Sequence, residues 1–269
     1  MIAAFLCSIA GGMLLALSAA RLELIVDRFV RLIGAVAFAA SVGVSVWSVS
    51  NGVFGAGPWR AAVVLASVLC SVSAAVLVFV APLLKTHPRR VKAIIVLGGA
   101  SGIVAAGLWL LLSGATPASS WLMVTLIALG QVLGSFVIGT VTVAWLLGHA
   151  YLTASKMTIA PLRRLSRLLS AAVAVRFVYL VLCVLMIKYG AVSGVPEGAM
   201  ARVTGAWLIL SLRVVVGLIA LGGFAYMVGD CVKIRSTQSA TGILYFASVF
   251  AYIGELSSQH LVSELGLPL

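Results

Sequence analysis

Eight apolar stretches, each about as long as a bilayer-crossing helix, follow one another through this chain with only short polar breaks between them. They run over roughly 2–20, 32–50, 61–84, 93–113, 121–149, 168–189, 204–229 and 239–258. At 1.5 Å of rise per residue, about 20 residues span the roughly 30 Å hydrocarbon core of a bilayer. Runs of this length with few charges are the mark of spanning helices. The expected fold is therefore all-α: a polytopic transmembrane bundle of about eight helices, forming one domain over residues 1–269. Composition agrees, with 63% hydrophobic and 9% charged residues, against about 45–50% and about 25% in soluble domains.

Charge sorts the breaks into two classes. The first, third, fifth and seventh connections hold Arg21, Arg28 and Arg31; Lys85, Arg89, Arg90 and Lys92; Lys156, Arg163, Arg164 and Arg167; and Lys233 and Arg235. The intervening connections hold only Arg60, Lys188 and Arg202. The positive-inside rule assigns the basic set to the cytoplasm and both termini to the outer side. The net charge of +12 is thus read as topology, with membrane lipid as its partner and no nucleic acid. The first apolar run lacks a preceding basic region and is expected to stay as a helix. Trp59, Trp121 and Trp207 fall near expected outer helix ends, as an aromatic belt requires.

Polar residues inside the apolar runs are unevenly spread. The last four runs carry Gln131, His149, Arg176, Arg213 and Glu255, and the first four almost nothing ionisable. A charge near the bilayer centre costs at least about 2.5 to 3.5 kcal/mol, so such groups face the protein interior and mark a site or pathway. Along the eighth run and just beyond its two ends, Thr237, Thr241, Tyr245, Ser248, Tyr252, Glu255 and Gln259 recur at steps of three and four, which aligns them on one helix face. Glu255 is the expected partner of Arg213 on the preceding antiparallel helix. One positive charge is then left over, and an anionic ligand would neutralise it. Gly98 and Gly102, like Gly130 and Gly134, have the GxxxG spacing that lets helices approach closely; a small residue can also make room for a flat cofactor.

The stretches Gly148-His149-Ala150-Tyr151-Leu152 and Arg235-Ser236-Thr237-Gln238-Ser239-Ala240-Thr241-Gly242-Ile243-Leu244-Tyr245 resemble a group of bacterial polytopic membrane proteins with no assigned activity. The resemblance implies a bacterial inner membrane and no chemistry. Gly99-Ala100-Ser101-Gly102 resembles the serine motif of rhomboid proteases, but no His or Asn in the third run completes an oxyanion site. There is no Walker loop, HExxH motif or acidic metal cluster, so independent catalysis is not expected. Four Cys without CxxC or Cys/His ligand spacing point to neither a disulfide framework nor a zinc site.

Three functions fit this pattern, of which the first is the expected one and the other two are alternatives. The first is a redox membrane subunit holding a b-type haem or quinone between helices five and eight. His149 would be the metal ligand or hydrogen-bond donor, Arg176 and Arg213 would meet propionates or a quinone oxygen, and Tyr151, Tyr245, Tyr252 and Glu255 would complete the site. The second is a transporter or permease for a small anion held by Arg176 and Arg213. The third is a non-catalytic subunit that docks against other membrane subunits.

Overall fold

The computed structural model describes residues 1–51, 57–113, 120–153, 158–190 and 205–269; Lys156 and Arg202, counted above with the connections, lie outside them. The described residues are helical, with no strand among them. Among the described residues, eight helices are long and apolar enough to cross a membrane: α1 (Ile2–Ala19), α2 (Asp27–Ser50), α3 (Pro58–Val80, continued by a 3-10 turn over Ala81–Leu84), α4 (Pro88–Ser113), α5 (Trp121–Thr153), α6 (Ala160–Lys188), α7 (Trp207–Lys233) and α8 (Thr237–Leu265). The chain has the architecture of a multi-pass membrane protein.

Prolines start three of these helices: Pro58, Pro88 and Pro161 stand in the first positions of α3, α4 and α6, where a missing N–H costs nothing. Gly266, at φ 68°, closes α8 in the left-handed conformation. Two helices outrun the apolar stretches from which they were expected. α6 begins at Ala160 rather than near 168, and α8 continues to Leu265 rather than 258. Hydropathy marks where lipid begins, whereas Arg163, Arg164 and Arg167 are good helix formers that carry the same helix beyond the hydrocarbon. At 29 residues, α6 is about 43 Å long, well over the bilayer core.

The helices form two four-membered rings. α1 packs on α2, α2 on α3, α3 on α4, and α4 returns to α1; α5 to α8 repeat the scheme and close through α8 against α5. No sequence repeat accompanies this repeated arrangement. α1 and α5 join the rings at a close crossing of Gly12 and Gly139, where a Cβ on either would strike the other helix's backbone. Gly102 lies against the Gly11 backbone and Cys70, and Gly98 against Ser73 and Leu14. This GxxxG pair therefore serves close packing of α4 on α1 and α3. Trp59, Trp121 and Trp207 are exposed in the first turns of α3, α5 and α7, which places them at one end of the bundle.

Candidate functional site

The deepest polar cluster lies in the second ring. α6 contributes Arg176 and Tyr179, α7 contributes Arg213, and α8 contributes Glu255, Ser258 and Gln259. Arg213 sits in a π-helical stretch, Leu212–Ala220, that interrupts α7; such widened turns recur at functional sites. The same stretch lays Gly217 against Gly254 of α8, a contact too close for any side chain on either residue. Arg213 Nη1 donates to the Gly254 carbonyl across this crossing at 3.4 Å.

Glu255 lies between the two arginines. Its Oε2 is 3.2 Å from Arg176 Nη2 and 4.0 Å from Arg213 Nη1. The expected Arg213–Glu255 pairing is thus the longer of two, and the hydrogen-bonded partner is Arg176. Neighbouring helices in sequence were the natural choice, but in the ring α6 reaches the same interior as α7. Arg176 Nη2 also donates to Ser258 Oγ at 3.1 Å, and the Arg176 guanidinium lies 5.2 Å from the Tyr179 ring centroid. The Tyr179 hydroxyl in turn donates to the Leu126 carbonyl at 2.7 Å.

α5 makes room for this cluster with glycine. A Cβ at Gly130 would come 2.7 Å from the Tyr179 hydroxyl and 3.1 Å from Arg176 Nη1, and one at Gly134 would collide with the Glu255 carboxylate. The Gly130/Gly134 spacing therefore seats polar side chains rather than a flat cofactor. Beside it, Gln131 Nε2 donates to Ser8 of α1 and, at 3.2 Å, to Ser135; Gln259 Nε2 donates to the same Ser8 Oγ at 3.2 Å. This network ties the second ring to α1.

The electrostatics are unbalanced. Arg176 and Arg213 are each 2% exposed and Glu255 3%, so the three ionisable side chains carry one positive charge in excess away from solvent. Arg176 Nε and Nη1, Arg213 Nε and Nη2, and the Gln259 side-chain oxygen have no hydrogen-bond partner among the described residues. A buried charged donor without a partner is costly, and each such group calls for an explanation. Gly130, Gln131, Arg176, Tyr179, Glu255, Ser258, Gln259 and the buried Leu269 are among the residues lining a cavity of about 10 Å³. That is about the space one water needs. The Ser258 hydroxyl that accepts from Arg176 donates to the Leu269 oxygen.

The other expected site residues lie elsewhere. Tyr252 faces inward, bonded to Thr142 of α5 at 2.8 Å and edge-on to Phe5 at 6.0 Å. Tyr245 is 53% exposed and rests edge-on against Trp145, so the α8 stripe loses its inward course there. The Tyr151 hydroxyl donates to the Thr158 carbonyl. His149 is exposed, and lies fifteen residues along α5 from Gly134, about 22 Å by helix rise. The residues do not fit a haem or quinone at the cluster. His149, the one imidazole among the expected site residues, is that far from the cluster, and the cavity is far below the roughly 300–1,000 Å³ of cofactor and ligand pockets. No group of three or more His, Cys, Asp or Glu side chains gathers among the described residues.

Ser8 and Ser258 belong to the site but were not singled out from the sequence. Ser258 is one step of three beyond Glu255, beside the four-residue step that led to Gln259. Ser8 is a serine in an apolar helix, a weak signal shared with many serines that only bond their own helix. The two stretches that carry the family resemblance meet in space: Gly148 lies against Thr241, where a Cβ would come 2.6 Å from its Oγ1. No protein-family model matches the chain, and neither does any curated protein or solved structure.

Proposed function

We propose that the protein is a transporter or permease for a small anion in the bacterial inner membrane, with both termini on the outer side. The observation that carries this reading is the pair of buried guanidiniums sharing one carboxylate, with four of their nitrogens lacking a hydrogen-bond partner among the described residues. Buried charges in membrane helices are expensive and mark ion or substrate pathways. An anion in the cavity that Arg176 lines would balance the excess charge and accept from the Arg176 nitrogens that lack a partner among the described residues. The cavity at Arg176 suits a monatomic or otherwise small inorganic anion, since it has space for about one water. The orientation rests on the basic residues gathered in alternate connections.

The test uses the purified protein in detergent and in proteoliposomes. Chloride or nitrate is expected to raise the thermal midpoint relative to gluconate at equal ionic strength, and to leave loaded vesicles faster than from protein-free ones. Arg213→Met should abolish both effects. A midpoint indifferent to every halide and to nitrate, together with efflux no faster than in empty vesicles, would leave the cluster as an interhelical ion pair only.

A further inference from the structure

At the opposite end of α6 from Lys188, a second feature has no part in the buried site. Arg21, Arg163, Arg164 and Arg167, with Ala160, line a cavity of about 420 Å³. Among the described residues none of these arginines takes part in an ion pair, and no carboxylate lines this cavity. Glu23 belongs to the adjoining hollow with Arg21, Arg89, Lys92 and Arg164. On the other flank of α6, Arg163 and Arg167 also line a cavity of about 500 Å³ with Ser166, Ser170, Tyr226 and Lys233. Lys233 is already engaged by Asp230 at 2.7 Å, so the arginines dominate there too.

From these residues we infer that α6 holds an anionic phospholipid carrying two phosphodiesters, one on each flank, with Arg163 and Arg167 between them. Guanidinium forks match phosphate oxygens, often through two parallel hydrogen bonds. Arg163 and Arg167 are one turn apart on the same face of α6 and belong to both cavities, so a headgroup with two linked phosphates can meet them from both sides. The second cavity runs from the arginines along the α6–α7 crossing to Ala225 and Tyr226. That crossing is loosely filled: a Cβ at Gly229 would meet nothing nearer than Ser166 Oγ, at 3.9 Å. An acyl chain can lie in such a groove, whereas a soluble phosphate has no use for it. Basic pockets between membrane helices bind lipid headgroups in the same way.

The test is native mass spectrometry of the full chain in delipidating detergent, with thermal midpoints alongside. The probes are cardiolipin, phosphatidylglycerol, phosphatidylcholine and inorganic phosphate. Cardiolipin is expected to be retained and to raise the midpoint, phosphatidylglycerol to bind more weakly, and phosphatidylcholine and phosphate to do neither. Arg163→Gln with Arg167→Gln should weaken cardiolipin retention roughly thirty-fold, with the lipid-free midpoint unchanged. Arg28→Gln with Arg31→Gln removes the same charge from exposed residues that line neither cavity, and should leave retention as it was. Equal retention of phosphatidylglycerol, displacement by inorganic phosphate, or equal loss in the two double variants would overturn the inference.

Discussion

The Glu255 carboxylate occupies the space that a side chain on Gly134 would fill. One glycine on α5 thereby sets where the negative charge of the buried cluster stands, and through it the position of Arg176. Gly134→Ala should therefore lower the thermal midpoint and remove the response to chloride, although Ala is better than Gly by about 1 kcal/mol in an unobstructed helix. Gly43→Ala and Gly242→Ala, where an added Cβ meets nothing within 4 Å, should leave the midpoint unchanged or raise it. Differential scanning fluorimetry of the three variants separates these outcomes.

Removing the carboxylate leaves two buried cations facing each other. Glu255→Gln is expected to cost about 3 to 5 kcal/mol, the range for breaking a buried ion pair from one side. Because the vacated position is anionic, chloride or nitrate should restore part of the loss in the variant and have a smaller effect on the parent. Unfolding in a denaturing detergent titration, with and without the anion, measures both.

The two arginines should behave differently. Arg213 makes the longer approach to Glu255 and leaves two nitrogens without a partner among the described residues. Replacing it with Met keeps the Arg176–Glu255 pair and removes the uncompensated charge, so Arg213→Met should match the parent or exceed it by about 1 kcal/mol or more. Arg176→Met removes the hydrogen-bonded partner of both Glu255 and Ser258 and should be clearly less stable. Both variants should lose anion-dependent efflux. Equal stability of the two would contradict the unequal geometry.

His149 is exposed and lies outside the cluster. His149→Ala should leave the thermal midpoint, the chloride response and the reduced-minus-oxidised absorbance spectrum indistinguishable from the parent. A haem band lost in that variant would reinstate the redox reading and displace anion transport.

The sequence by itself determined the number of spanning helices, their order and the sorting of their connections by charge, because the cost of placing charge in hydrocarbon is paid locally. It also marked Arg176, Arg213 and Glu255 for the interior, for the same reason. Only the tertiary structure decided which groups meet. α5 is apolar on nearly every face, and in lipid an apolar side chain is as content outside the bundle as inside it, so nothing in its pattern said that His149 turns outward and Gly130 and Gly134 inward. Adjacency in the chain suggested Arg213 for Glu255, whereas closing α5 to α8 into a ring brings Arg176 nearer. Ser8 reaches Gln131 and Gln259 only because two glycines let α1 and α5 touch. Contacts between residues more than a hundred positions apart depend on how helices are arranged around one another, and that arrangement is set by interhelical packing rather than by the hydropathy of any single helix.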